Sequence, residues 1–402
     1  MALFSIFLFM KQYTFRQRII IFICCLLGGF SVSIACTSAI ISADASASGR
    51  PMLWKHRDTS NTDNKVEYIS GEDGEFSFVA LFNADDRECK EAWIGMNEVG
   101  FAVMNTASYN IKNDNVPASK MDKEGLLMAM ALKACTTVED FENFLINLPK
   151  PMGVEANFGV IDAYGNGAFY ETNNDSFVKF DLKQSPNGVL IRTNYSHSGR
   201  TGEGYGYVRE ANAEHLLLPY LGNASVTPEL LTEYLSRSFY HDVKKCDVIQ
   251  DERGKWMVDE DFIPRYKSTA TVVIEGIIPL QAGADIDRNS DIIPQYIMWT
   301  GLGYPPCAEI YPVWCHPQGV DEGLRGIAFK GRSPLCNKAK MRRDEVFSYP
   351  LGKGKKGKSN KYINKEILIN SAGTGYIQTI VPSNIATYSL IKHRRDNNEI
   401  RF

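Results

Sequence analysis

Apolar residues fall into two kinds of run along this chain, separated by turn residues. Short β-branched and apolar stretches bounded by Gly, Pro, Asn and Asp predict strands near 37–43, 51–57, 76–83, 91–96 and 100–105. Helical spacing then takes over. Residues 123–134 (KEGLLMAMALKA) are rich in Leu, Met and Ala, which are strong helix formers. Residues 137–148 open with Thr137, a capping type, and the acids Glu139 and Asp140, then set Phe141, Phe144, Leu145 and Leu148 on one face. Residues 157–162 and 168–172 predict a hairpin across Ala163-Tyr164-Gly165-Asn166-Gly167. Strands follow at 177–182 and 188–193. Helices are predicted at 207–220 and 227–239, the second with Pro228 early in its first turn. Strands resume at 269–275 and 295–300. Strand blocks alternating with helix pairs predict an α+β fold, not the βαβ rhythm of a doubly wound sheet. The run 353–361 (KGKKGKSNK) reads as a solvated loop.

Residues 1–35 stand apart. They hold three basic residues, Lys11, Arg16 and Arg18, and no acid, followed by an apolar run over 19–30 (IIIFICCLLGGF). That run is too short to cross ~30 Å of hydrocarbon and fits the core of a secretory signal. Ser33 and Ala35 supply the small residues that precede a signal-peptidase cut, so cleavage after Ala35 is expected, with Met10 as an alternative start of the signal. The remainder, 36–402, is expected to be one domain, exported to the periplasm or beyond, with no stable membrane insertion once the signal is gone. Removing three of the 44 basic residues and none of the 47 acidic ones takes the formal charge from −3 to −6. That balance offers nothing to a phosphate backbone and excludes a nucleic-acid partner. A small-molecule substrate is expected instead; a homo-oligomer is left open.

Nine cysteines occur, Cys24 and Cys25 of them within the signal. Apart from Cys36, six remain: Cys89, Cys135, Cys246, Cys307, Cys315 and Cys336. An even number in an oxidising compartment allows up to three disulfides, with Cys307, Cys315 and Cys336 near enough in sequence for a local bridge; the sequence does not assign connectivity, and buried free thiols are the alternative. No Cys-x-x-Cys or paired Cys/His spacing is present, so no metal is expected, and no cofactor either.

Cleavage after Ala35 would put a thiol and a free α-amine on one residue, Cys36. An α-amine has an ordinary pKa of about 7.7–8.0, so part of it is neutral at pH 7 and able to take a proton. The thiolate is a strong nucleophile. Nucleophile and base thus coincide without a histidine. Such a site further needs an acid to orient the amine and donors for an oxyanion.

The sequence resembles the N-terminal-nucleophile (Ntn) hydrolases with N-terminal cysteine, in the branch of the choloylglycine hydrolases and the acyl-coenzyme A:6-aminopenicillanate acyltransferases. Cys36-Thr37-Ser38-Ala39-Ile40-Ile41 is similar to their start. Lys55-His56-Arg57-Asp58 stands where they usually carry Arg-Asn-x-Asp, with Lys55 in place of the arginine and Arg57 inside the motif. The segment from Gly95 to Ala102 (GMNEVGFA) resembles their strand-turn-strand, followed by Asn105 at an oxyanion position. Asn157-Phe158-Gly159-Val160-Ile161-Asp162, Arg192-Thr193-Asn194-Tyr195, Ser268 to Val273 and Trp299-Thr300-Gly301-Leu302-Gly303 resemble later elements. Arg265 is the nearest counterpart of the bile-salt enzymes' later arginine.

The resemblance implies a four-layer αββα sandwich with Cys36 at the end of a central strand. It implies an amidase or acyltransferase acting on a linear, N-acyl or other non-peptide amide. Cys36 would attack, Asp58 would orient the amine, and Asn194 and Asn105 would hold the oxyanion, with Lys55 and Arg57 as supporting cations. A dipeptidase of the same superfamily is the alternative within enzymes. Outside them, a cysteine directly after a signal also suits lipidation, giving a non-catalytic surface lipoprotein anchored through Cys36.

Overall fold

Most of the strands fall into two large antiparallel sheets, with three two-stranded ribbons beside them. The computed structural model describes residues 35–249, 256–258, 261–281, 284, 293–352, 355–358 and 362–402. All of the expected signal except Ala35 lies outside the described residues. In chain order come β1 (Ala35–Ile41), β2 (Met52–Asp58), β3 (Asn64–Ile69), β4 (Phe78–Asn83), β5 (Ile94–Asn97) and β6 (Ala102–Ala107). Helices α1 (Glu124–Ala134) and α2 (Val138–Asn147) follow, then β7 (Ala156–Ile161), β8 (Gly167–Thr172), β9 (Phe177–Asp181) and β10 (Val189–Arg192). The chain continues through α3 (Tyr207–Leu217), β11 (Ser268–Glu275), β12 (Ile297–Leu302), β13 (Tyr311–Val313), α4 (Pro334–Val346) and α5 (Tyr376–Asp396).

One sheet has the order β10-β1-β2-β11-β12-β13; the other is a meander from β3 to β9. Because strand side chains alternate in direction, each sheet has two apolar faces to cover. The inner faces meet through Ile40, Leu53, Val272 and Met298 on one side and Leu81, Ile94, Met104 and Phe169 on the other. The outer face of the meander, with Phe78, Phe158 and Tyr170, is covered by Leu127, Leu132, Phe141 and Leu145 of α1 and α2. Trp54, Val273 and Trp299 on the outer face of the first sheet are covered by Ala213 and Leu217 of α3 and Tyr388 and Ile391 of α5. The layers therefore run helix, sheet, sheet, helix: the αββα sandwich. Each large side chain buried in these layers contributes about 1.5–3 kcal/mol of transfer free energy.

Several expectations meet local detail. Thr137 caps α2 as its sequence suggests: Asp140 N donates to Thr137 Oγ1 at 3.0 Å, and Thr137 N to Asp140 Oδ2 at 2.9 Å. The 227–239 helix is not a regular α-helix; Leu230–Tyr234 is π and Leu235–Arg237 is 3-10. Ser236 Oγ donates to Leu231 O five residues back and accepts Trp54 Nε1–H, which fits the widened ladder there. The expected loop at 353–361 holds a strand at Lys355–Lys358, paired with Ser348–Gly352; its other residues lie outside the described ones. Of the two alternatives for the cysteines, the structure shows free thiols. All seven described cysteines are free, and the Cys307, Cys315 and Cys336 trio forms no bridge. Cys315 Sγ donates to Ser77 O and Cys336 Sγ to Thr62 O, while Cys307 sits in a separate cluster with Phe347 and Leu368. No described helix is long and apolar enough to cross a membrane.

Candidate active site

β1 lies between β10 and β2, and Cys36 is the second residue of that strand, opposite Arg57 of β2. It is buried. Its backbone N–H, a peptide group in the full chain, donates to Asn194 Oδ1 at 2.7 Å. Its Sγ lies 4.0 Å from the carbonyl oxygen of Asp58. Asn194 follows β10 and forms an isolated antiparallel bridge with Tyr205. Its Nδ2 donates to Ala107 O, at the end of β6, at 2.9 Å. The carboxamide is thus fixed at both ends.

Arg209 on α3 completes this side. Its Nη1 donates to Cys36 O at 2.6 Å and Thr37 Oγ1 at 3.0 Å, and its Nη2 to Asn194 Oδ1 at 2.8 Å. The approach depends on Gly206, whose φ is +98°; a Cβ there would lie 2.5 Å from Arg209 Nη2 and 2.7 Å from Thr193 Oγ1. Only glycine holds that backbone at low cost while leaving the space.

β2 supplies the other side by alternation. Lys55 and Arg57 point one way, His56 and Asp58 the other. Lys55 Nζ donates to Trp93 O at 2.6 Å and Asn105 Oδ1 at 2.7 Å. Arg57 donates to Asn64 Oδ1 and, at 2.8 Å, to Asn83 Oδ1, with its guanidinium 4.9 Å from the centre of the Trp93 ring. The Asp58 carboxylate accepts from Arg265 at 2.7 and 3.1 Å and from Ser268 Oγ at 2.5 Å. His56 Nε2 is 2.9 Å from the same hydroxyl. Since Ser268 donates to Asp58, the hydrogen-bond network assigns the proton to His56 Nε2. This Ser-His-Asp group is not a nucleophilic triad: the carboxylate takes the serine proton, and His56 Nδ1 is buried with no partner.

Burial dominates the electrostatics. It pushes Lys55 down to about 7, with the Arg57 cation adding to the shift and Cys36 opposing it. It lowers His56 to about 4 against the pull of Asp58, so the imidazole is neutral at pH 7. Arg57 and Arg209 are lowered to about 10, chiefly by burial, and stay charged at neutral pH. Lys55, Arg57, Arg209 and Arg265 thus surround Cys36 and Asp58 with positive charge.

The structure therefore brings Cys36, Asp58 and Asn194 together, and bonds Asn105 to Lys55, on which Cys36 acts electrostatically. Asn194 meets the Cys36 nitrogen with its oxygen, and one of the two hydrogens of its NH2 goes to Ala107 O. Asp58 directs its carboxylate to Arg265 and Ser268, and the atom on the Cys36 nitrogen is Asn194 Oδ1. Asn105 gives its side-chain oxygen to Lys55, which leaves its NH2 as the free end of the carboxamide. Sequence reasoning did not single out Arg209 or Ser268. The glycines at 202, 204 and 206 directly before a helix carrying a basic residue were the available sign of Arg209.

No family model matches the chain, and no curated protein matches it. Among solved structures it is similar to a Caenorhabditis elegans N-acylethanolamine-hydrolyzing acid amidase ortholog, at 12% identity over 63% of this chain and 97% of that one, with a TM-score of 0.40. It is also similar to conjugated bile acid hydrolase from Clostridium perfringens (12% identity, 69% and 92% covered, TM-score 0.38). A third is penicillin V acylase from Agrobacterium tumefaciens (12% identity, 69% and 86% covered, TM-score 0.36).

Proposed function

We propose that the protein is an exported amidase of the Ntn type, which cleaves a linear N-acyl amide through Cys36 once residues 1–35 are removed. The observation that carries the reading is the 2.7 Å contact between Cys36 N and Asn194 Oδ1. A neutral α-amine has two hydrogens and one lone pair. With one hydrogen given to Asn194 Oδ1, the lone pair is free to take the thiol proton, and the neighbouring Arg209 guanidinium disfavours a standing ammonium.

The steps then balance. Sγ bonds to the amide carbon as its proton passes to the α-amine, and the carbonyl electron pair becomes the oxyanion. The α-ammonium returns that proton to the leaving nitrogen, the C–N bond breaks, and a thioester remains. Water, with its proton taken by the same amine, releases the acid and restores the thiol. An amine in place of water would make the reaction an acyl transfer.

An apolar acyl group suits the surroundings. Residues paired across an antiparallel bridge project to the same side, so Tyr205 stands beside the Asn194 side chain. Tyr205 is 61% exposed and packs edge-on against Tyr109, with ring centres 5.5 Å apart. The test is to export the full chain, weigh its mature N-terminus, and assay it on bile-salt conjugates, N-acyl amino acids, penicillins and dipeptides. A start at Cys36 with turnover of an N-acyl amide is expected. Turnover of dipeptides alone would favour the dipeptidase, and a lipid-modified Cys36 with no turnover would end the catalytic reading.

A further inference from the structure

Lys55 is a buried lysine, 1% exposed, and no carboxylate among the described residues pairs with it. Such burial is costly unless the charge is well solvated by the protein. Its hydrogen-bond partners among the described residues are both neutral oxygens, Trp93 O and Asn105 Oδ1. The charged or titratable groups acting on it are Cys36 from β1 and Arg57 from β2. Trp93 and Asn105, from the facing sheet, carry no charge. The neighbouring cation makes matters worse for an ammonium, so its retention next to the nucleophile calls for a role.

The bond to Asn105 supplies one. A carboxamide has a single acceptor end and a single donor end. Once Oδ1 is held by Lys55, the NH2 is the only end left for another group. Resting on the reading given above, we propose that Lys55 is a positioning residue: its ammonium grips Asn105 Oδ1 and so aims the Asn105 N–H groups at the oxyanion formed over Cys36. An ammonium polarises the amide more strongly than a neutral amine does, so the grip and the donor strength of Asn105 both depend on the Lys55 proton.

This has a signature that a merely structural lysine lacks. Loss of the Lys55 proton, which burial brings down to about 7, should appear as an alkaline fall in kcat/KM, while protonation of the α-amine gives the acid fall. The experiment measures kcat/KM against pH for the mature wild type, Lys55→Arg, Lys55→Met, Asn105→Ala and the Lys55→Met/Asn105→Ala pair, with thermal unfolding of each. In the wild type a narrow bell is expected, and Lys55→Arg should carry the alkaline limb at least one pH unit higher. Asn105→Ala should lose about 10²-fold, as for a deleted oxyanion donor. Lys55→Met should lose at least about tenfold alone but less than about threefold in the Asn105→Ala background, because it acts through that residue. The proposal is overturned if the losses multiply independently, or if the alkaline limb is unmoved in Lys55→Arg. Should the variants not fold, a wild-type profile flat up to pH 9 overturns it on its own. A wild type that turns over no amide at any pH overturns the amidase reading together with this one, whereas turnover with independent losses overturns only the role of Lys55.

Discussion

Replacing Cys36 separates the two jobs proposed for it. Cys36→Ala keeps the α-amine and removes the nucleophile, so turnover should vanish. Cys36→Ser keeps a nucleophilic oxygen, but a hydroxyl gives up its proton far less readily than a thiol, and an α-amine is a weak base for it. A trace of activity, at least about 10³-fold below wild type, is expected in a steady-state assay. At the partner end, Asn194→Ala would leave Arg209 Nη2 and the nitrogen of Cys36 without their shared acceptor. Its expected effect is a fall in kcat with little change in KM, since the contact orients the base and touches no substrate. A rise in KM at constant kcat would instead place Asn194 in substrate binding.

The segment from Thr193 to Arg209 is the element on which the site depends most, and it was only half visible in the sequence. Asn194 could be found because it follows a strand in a recognisable Thr-Asn pair. Its orientation could not, because that is set by Ala107 O and Arg209, 87 and 15 residues away. Arg209 was hidden for the opposite reason: a charged residue on a helix reads as solvent-facing until the packing of that helix is known. At this scale Tyr205→Ala should raise KM several-fold for amides with a bulky apolar acyl group and leave small acyl substrates nearly unchanged. An equal rise for both would remove the rim from specificity. Elsewhere the inner strands were legible because their apolar runs are long and bounded, as at Ser268–Glu275. β3, an edge strand with only three of its six residues buried, carries too weak an alternation to be read. The helix Tyr376–Asp396 was missed because Pro382 and a run of β-branched residues disguise it.

For the molecule as a whole, block order carried the α+β class and the resemblance carried the four-layer sandwich, whereas the cysteine count left bridges and free thiols equally open. An even number of thiols permits bridges without requiring them, and these thiols sit apart in apolar clusters or on carbonyl oxygens. Titration of the denatured mature protein with a thiol reagent should therefore find all seven cysteines reduced. Stability should also depend on pH through His56. Its folded-state value is lowered to about 4, so between that pH and about 6.5 the unfolded chain binds the extra proton. Stability is then full above about pH 6.5 and is lost as pH falls towards 4, by roughly 3 kcal/mol for this group. Urea unfolding of wild type against His56→Asn should show a shallower decline over that window in the variant; parallel curves would mean that other groups dominate.

The account turns on the free α-amine of Cys36 serving as the base. Retaining a single residue, Ala35, ahead of it keeps the thiol and every side chain of the site but converts that amine into a peptide nitrogen and moves the free amine about 3.8 Å along the chain. The decisive measurement is kcat/KM for amide hydrolysis by protein beginning at Ala35 against protein beginning at Cys36. A loss of about 10²–10⁴-fold, the usual worth of a general base, is predicted. Hydrolysis at the same rate by both would contradict the α-amine mechanism.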